Sequence, residues 1–331
     1  MTQKVAIIGC GKQAPKHLKG LRSANDQLDF ILFDVNEDAA KSLGEAEGLK
    51  WTTDILEILS DNDVVAFDIC TPTSFHKPLI TQAIDAGKDF FCEKPLCETV
   101  EEAIEIKNMV SANDRIGMIG YVYRFAPVFV EAKKIIESGA LGDVVMAQFR
   151  IGGRGSHQVW KHLKKTDGGA LNEMMVHMLD LAIWFFGDVK ESKVLVNELL
   201  RSTRTIQGKE ENVDAEDYLV VRSKMESGVD VLLEADMITP AFSQHVEIQG
   251  SNGTFVGSIQ PDRPSFLFLE KEMGGYSAGK TMIGNDGSNL FGEQMSEFIN
   301  AITDHRQPSK CRVEDSVKVL EAVKQIKEQV A

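Results

Sequence analysis

Gly9-Cys10-Gly11-Lys12-Gln13-Ala14 directly follows a short apolar run, residues 5–8, and matches the pattern G-x-G-x-x-A. These residue types suit a phosphate. Gly9 permits a tight turn, Gly11 lets the backbone approach a pyrophosphate, and the small Ala14 lets the following helix pack close to its strand. The start of that helix offers N–H groups and a positive dipole, with Cys10, Lys12 and Gln13 completing the loop. Asp34 stands 25 residues after Gly9, at the end of the next apolar run. A carboxylate there accepts hydrogen bonds from ribose hydroxyls and repels a 2′-phosphate, so the expected dinucleotide is NAD rather than NADP. The plainer reading makes the two glycines a turn and Asp34 a strand-end cap. Two further segments follow apolar runs: Thr71-Pro72-Thr73-Ser74-Phe75-His76 and Glu93-Lys94-Pro95. Both fall where ligands bind in open α/β sheets, at the carboxyl ends of parallel strands.

The elements that must hold these residues alternate over the first 120 positions. Apolar runs at 5–8, 30–33, 64–69, 90–92 and 116–119 read as buried parallel strands, with helix-like stretches at 12–24, 37–47, 74–86 and 100–112. Strand–helix alternation implies βαβ units with helices on both faces of the sheet. After Tyr121 the pattern changes. Helix-like 126–138 precedes strand-like 144–151, and a more hydrophobic helix is expected over 170–186. Strand-like runs follow at 193–199, 217–224, 229–234, 245–249, 254–259 and 265–269. Strands in succession predict an open, mostly antiparallel sheet. The Gly-rich stretch 274–288 reads as a loop, and helices are expected at 293–303 and 313–329. The expected fold class is α/β: a Rossmann dinucleotide-binding domain over 1–121, then an α+β domain over 122–331 for substrate binding and oligomerisation.

Composition narrows the partners. The chain has 331 residues, 43% hydrophobic and 26% charged, enough for two cores. Its net charge of −14 repels nucleic acid and anionic membrane surfaces. No run approaches the roughly 20 apolar residues that span a bilayer, and the N-terminal apolar run is too short for a signal peptide, so a cytoplasmic location is expected. Five cysteines, Cys10, Cys70, Cys92, Cys97 and Cys311, are scattered and odd in number, which suggests plain thiols rather than a disulfide framework.

Taken together these motifs resemble the glucose-fructose oxidoreductase / inositol dehydrogenase / MocA family. The order and spacing of the Gly9 loop, Thr71-Pro72 and Glu93-Lys94-Pro95 match it. So does the stretch Gly168-Gly169-Ala170-Leu171-Asn172-Glu173-Met174-Met175-Val176-His177-Met178-Leu179-Asp180. Tyr123-Arg124-Phe125-Ala126-Pro127, leading to Gly142-Asp143-Val144, looks like the family's domain junction. The resemblance spans nearly the whole chain. It implies that Lys94 sits between the nicotinamide ribose and the reacting hydroxyl, where an ammonium orients the oxygen and stabilises developing charge. It also implies that a cis peptide precedes Pro95, that Glu93 and His76 line the cofactor pocket, and that Thr71 and Pro72 lie under the dinucleotide.

The resemblance makes His177 the general acid/base, a task suited to imidazole because its unperturbed pKa is about 6.5. Glu173, four residues earlier, shares a helical face with it and could orient the ring, raise its pKa or bind a substrate hydroxyl. Asn172 could reach the pocket rim, and Tyr123 and Arg124 join the substrate-facing candidates. The chain departs from the family pattern at Glu173, where Asp is usual, at Met175, where Gly is common, and at Val122, where a polar residue is often seen. The segment 152–166 holds His157, Trp160, Lys161, His162, Lys164 and Lys165. Trp160 could stack on a sugar ring or nucleobase and the lysines could meet a phosphate or carboxylate; alternatively the segment is a solvated basic loop. Leu171, Met174, Met178 and Leu181 read as core contacts, and no metal is expected.

The resulting expectation is reversible hydride transfer between NAD and a secondary alcohol of a sugar, cyclitol or nucleotide sugar, in a homodimer or homotetramer formed through the second sheet. Two alternatives are an NAD-requiring glycoside-processing enzyme or lyase with no net NADH, and a catalytically silent NAD- or sugar-sensing regulator.

Overall fold

Runs of apolar residues with no alternation build the first sheet. In the computed structural model of the chain, which describes residues 3–154, 158–284 and 289–330, Val5, Ala6, Ile7 and Ile8 are fully buried. So are Ala66, Phe67, Ile69, Phe90 and Phe91. Strands covered on both faces need such sequences, because neither face meets water. The elements run β1 (Lys4–Ile8), α1 (Ala14–Ala24), β2 (Asp29–Phe33), α2 (Glu37–Glu47), β3 (Lys50–Thr52), α3 (Ile55–Ser60), β4 (Val64–Ile69), α4 (His76–Asp85), β5 (Asp89–Cys92), α5 (Val100–Ala112) and β6 (Gly117–Ile119). Among the described residues they form a six-stranded parallel sheet in the order β3-β2-β1-β4-β5-β6. β1, β4 and β5 end level, since Ile8 pairs with Ile69 and Ile69 with Cys92. The residues that follow each strand therefore leave the sheet along one edge. β3 and α3 are additions to the expected pattern.

Two compact units divide the chain: Met1–Phe125 with Asn289–Leu320, and Ala126–Ser288 with Glu321–Ala331. The first unit is discontinuous: it runs a few residues past the expected boundary at 121 and takes in the late segment 289–320. The helix Leu290–Thr303 packs so closely on α1 that a Cβ on Gly20 would meet the Phe291 carbonyl oxygen at 2.8 Å. Beside it, the Ile119 N–H donates to Cys311 O at 2.8 Å, extending the order of the sheet edge into the late segment.

The second unit starts with α6 (Pro127–Glu137) and the long β7 (Val144–Gly152). A wide π-turn, Leu171–Met175, leads into α7 (Val176–Phe186). Then come β8 (Val189–Glu198), β9 (Thr203–Ile206), β10 (Lys209–Asn212), β11 (Tyr218–Met225), β12 (Asp230–Asp236), β13 (Ser243–Gly250), β14 (Gly253–Gly257), β15 (Ser265–Leu269) and β16 (Gly279–Ile283). Among the described residues eight of them form one sheet, β16-β15-β14-β13-β7-β12-β11-β8, with β7 and β12 parallel and the other neighbours antiparallel. β9 and β10 make a separate hairpin. Two expectations change. The stretch 274–288 is not all loop, because β16 pairs with β15 within it. The helix expected over 170–186 begins as a π-turn, so Glu173 and His177 do not lie on one uninterrupted α-helix.

Candidate functional site

The first unit's edge carries the glycine loop. Gly9 has φ +97°, and its N–H donates to Phe33 O at 2.8 Å. A Cβ there would lie 3.0 Å from Thr71 Cγ2 and 3.1 Å from the Cys70 carbonyl carbon and oxygen. Gly11 is different: it is exposed, and a Cβ would meet nothing within 4 Å. Asp34 closes the loop from the second strand, its Oδ2 accepting from the Cys10 N–H at 2.8 Å and its Oδ1 from the Asn36 N–H at 2.9 Å. Burial, with the Asp34 charge, pushes the Cys10 thiol up to about 12, so this cysteine is no thiolate.

Several features fit a dinucleotide here. α2, α3 and α5 are capped by the side chains of Asn36, Asp54 and Thr99, whereas no side chain caps α1. An uncapped N-terminus leaves N–H groups and dipole available to an anion. Gln13 Oε1 and Thr71 Oγ1 are buried with no hydrogen-bond partner among the described residues, a costly state that a polar ligand would relieve. Lys12 and Pro72 are solvent-accessible beside them.

Lys94 follows β5 on a loop whose Lys94–Pro95 peptide is cis, as the resemblance implied. His76 is 1% exposed, with Nε2 2.9 Å from Thr71 O and Nδ1 2.9 Å from Pro95 O. Both nitrogens are engaged by carbonyls, and burial lowers the ring's pKa. His76 therefore ties the 71–72 loop to the 94–95 loop through both ring nitrogens. Glu93 is also turned inward. Its Oε1 lies 2.9 Å from His17 Nε2, and its Oε2 accepts from the Lys94 N–H at 3.1 Å.

Arg124 departs furthest from expectation. It is 2% exposed, its Nη1 lies 3.2 Å from Asp315 Oδ2, and it belongs to the first unit. There it is held in a buried ion pair. Tyr123 is half-buried, and burial raises the pKa of its phenol.

In the second unit, His177 occupies the first turn of α7, half-exposed between the buried Val176 and Met178. Leu171, Met178 and Leu181 are buried as expected, with Met174 half-buried. Glu173 Oε2 accepts from Lys161 Nζ at 2.6 Å, and the same ammonium lies 5.0 Å from the Trp160 ring centre. The Gly169 N–H donates to Lys161 O at 3.0 Å, which docks the 158–166 segment onto the start of the π-turn. His157 lies outside the described residues. Asn172 is buried and donates from Nδ2 to Asp167 O at 2.8 Å. It borders a cavity of about 500 Å³ with Leu171, Asp167, Glu216 and Lys327. Neither Glu173 nor His177 lines that cavity.

Sequence reasoning missed His17, Asp68 and Glu216. A signal existed for the first two. His17 is three residues beyond Ala14, on the helix face that packs on the sheet, and Asp68 interrupts an otherwise apolar strand. His17, Asp68 and Cys70 bring three ligand-type atoms within 4.8 Å, yet the His17 nitrogens and Asp68 are already joined to each other and to Glu93 by hydrogen bonds.

Comparisons with known proteins bear on the two domains. Residues 3–121 match the oxidoreductase family with an NAD-binding Rossmann fold, and residues 129–256 match the GFO/IDH/MocA C-terminal domain. An uncharacterized oxidoreductase of Bacillus subtilis is 25% identical over 83% of this chain and 84% of its own length. Inositol 2-dehydrogenase of Rhizobium meliloti is 28% identical over 78% of this chain and 77% of its own. A solved levoglucosan dehydrogenase in complex with NADH superposes with a TM-score of 0.88 at 21% identity, covering 99% of this chain and 96% of that one. Among the described residues no helix is long and apolar enough to cross a membrane. The chain belongs to the Gfo/Idh/MocA oxidoreductases, and its first domain is an NAD-binding Rossmann fold.

Proposed function

We propose that this protein is an NAD-dependent dehydrogenase that oxidises a secondary alcohol of a sugar, cyclitol or nucleotide sugar. One observation carries the reading: β1, β4 and β5 end level, so the glycine loop, Thr71 and Lys94 leave a single sheet edge beside an uncapped helix. The names of an inositol and a levoglucosan dehydrogenase among the relatives support a polyhydroxylated substrate.

NAD, when bound, supplies the hydride acceptor. Gly9 to Ala14 and the first turn of α1 hold its pyrophosphate, with Gln13 and Thr71 offering their buried oxygens, and Asp34 accepts from ribose hydroxyls. Lys94 donates to the substrate oxygen, orienting it and stabilising its developing charge. His177 takes the hydroxyl proton on its imidazole. Glu173, held by Lys161, orients that ring or binds a neighbouring hydroxyl. Trp160 offers an apolar face to the sugar, and Asn172 and Tyr123 complete the substrate side. The subunits assemble as a dimer or tetramer through the open face of the second sheet.

The test is a panel of sugars, cyclitols and nucleotide sugars followed by NADH absorbance, with NAD and NADP in parallel. Turnover with NAD is expected, and Lys94→Ala should lower kcat/KM by on the order of a hundredfold or more. A silent panel with tight NADH binding would overturn the reading and favour bond cleavage without net NADH.

A further inference from the structure

His17, Asp68, Cys70 and Glu93 form a cluster inside the first unit, and its chemistry is unusual for a Rossmann core. His17 and Asp68 have fully buried side chains, and that of Glu93 is 14% exposed. His17 Nδ1 is 2.9 Å from Asp68 Oδ1, and Nε2 is 2.9 Å from Glu93 Oε1. An ionised carboxylate accepts hydrogen bonds only, so with one at each end of the ring both ring nitrogens donate and the imidazole is doubly protonated.

The remaining groups around the ring do not compete for this role. Cys70 Sγ lies 3.2 Å from Nδ1, and burial keeps that thiol protonated, up to about 12. The other faces meet the rings of Phe91 and Phe291, at 5.4 and 5.6 Å. Burial, the largest single influence, disfavours the charged imidazole, but the charge and hydrogen bonds of Asp68 and Cys70 together outweigh it and hold the pKa well above its ordinary value. Burial likewise pushes Glu93 up. The His17 hydrogen bond and charge, with Lys94, overcome this and hold Glu93 at about 2.

Glu93 is the residue before Lys94. Its other oxygen accepts the Lys94 backbone N–H at 3.1 Å, and Gly120 leaves it room, since a Cβ there would lie 3.1 Å from Oε2. We propose that His17 is a positioning residue whose imidazolium, clamped between Asp68 and Glu93, fixes the Glu93 carboxylate and through it the backbone that presents Lys94. The four charges balance: two cations, His17 and Lys94, against two carboxylates. Without the imidazolium, the Glu93 carboxylate is left to the charge of Lys94, which already acts on it, and draws that ammonium from the substrate oxygen. This inference rests on the catalytic role proposed above for Lys94.

The first measurement needs neither substrate nor variant. In nitrogen-labelled wild-type protein, the His17 ring is expected to show two protonated nitrogens above the ordinary imidazole pKa of about 6.5; a ring that becomes neutral at that ordinary pKa would overturn the proposal. The second compares His17→Gln with His17→Gln/Glu93→Gln, which restores the charge balance. Amine labelling read by mass spectrometry should find Lys94 roughly tenfold less reactive in the single variant and close to wild type in the double. With an active substrate, kcat should follow the same order while the substrate KM stays level. Equal defects in both variants would assign His17 to packing alone. If no substrate is ever turned over, the proposed dehydrogenation fails, but the ring protonation and Lys94 labelling still decide the clamp. Should His17→Gln not fold, Glu93→Gln alone supplies the labelling contrast: freed of its carboxylate, Lys94 should react at least as fast as in wild type, and a slower reaction would refute the coupling.

Discussion

Gly9 and Gly11 sit two residues apart in one motif, yet the structure gives them opposite costs of substitution. At Gly9 an alanine must adopt φ +97°, a strain of about 1–3 kcal/mol. Its Cβ would also press on Thr71 Cγ2 at 3.0 Å and on the Cys70 carbonyl group at 3.1 Å. The Cys70 backbone cannot yield easily, because its N–H is bonded to Ile8 O at 2.8 Å in the sheet. Such overpacking adds roughly 1–3 kcal/mol, and the two together lower Tm by on the order of 10 °C. At Gly11 the added Cβ meets nothing within 4 Å, and φ lies outside the left-handed region. Gly11→Ala should therefore keep or raise stability by about 0.4–1 kcal/mol, through the unfolded chain. Its cost appears only with the cofactor. Loss of one close backbone contact to a charged phosphate is worth about 1.5–3 kcal/mol, a rise in NADH Kd of roughly tenfold to a hundredfold. Thermal melts and NADH fluorescence titrations of both variants separate the effects. A Gly9→Ala protein melting with wild type, or a Gly11→Ala protein with unchanged Kd, would refute the reasoning.

Two further outcomes are expected. Asp34→Ser should raise the kcat/KM ratio of NADP to NAD at least about tenfold by removing a charge that repels a 2′-phosphate, and it should lower Tm by a few degrees because the Cys10 N–H loses its acceptor. Burial raises the pKa of the Glu216 carboxyl, so the folded state holds its proton more tightly than the unfolded chain and this residue costs stability as pH rises from about 4.5 through the folded pKa. Glu216→Gln keeps an acceptor for the Leu171 N–H, at 3.0 Å in wild type, and its Tm gain should be larger near pH 8 than near pH 4.5.

Elements whose residues are buried on both faces are readable from sequence, because water would oppose an uninterrupted apolar run on any exposed face. On that basis β4 is legible at residues 64–69, whereas β15 at 265–269 is buried on one face only, with Phe268 exposed on the other, and is legible from its apolar run. β3, β16 and the β9–β10 hairpin escape such reading for a shared reason: they lie at edges and bury little. β16 reads Gly-Lys-Thr-Met-Ile, with Lys280, Thr281 and Met282 exposed, so its strand state comes from hydrogen bonds to β15 and not from its own pattern. The hairpin is polar, and its turn rests on Gln207 and Gly208, both at positive φ; the glycine is the one hint in its sequence.

Within the site, the legible part is whatever a backbone demands: glycines at a turn, a cis proline after Lys94, a carboxylate at a strand end. The illegible part is pairing between side chains distant in sequence. Arg124 reads as a substrate group because a charge beside a motif suggests function, but its partner Asp315 comes from the late segment of the chain, and burial with that partner turns it into a core residue. The same physics makes Asp68 informative. A carboxylate in the strand Val-Val-Ala-Phe-Asp-Ile is too costly to bury alone, so it requires a cation or a donor from another element. Among the buried residues of α1, His17 alone has a polar side chain. A sequence that places one ionisable residue in a buried strand and one on the facing helix has therefore specified a contact, and Glu93 extends it to the Lys94 backbone N–H.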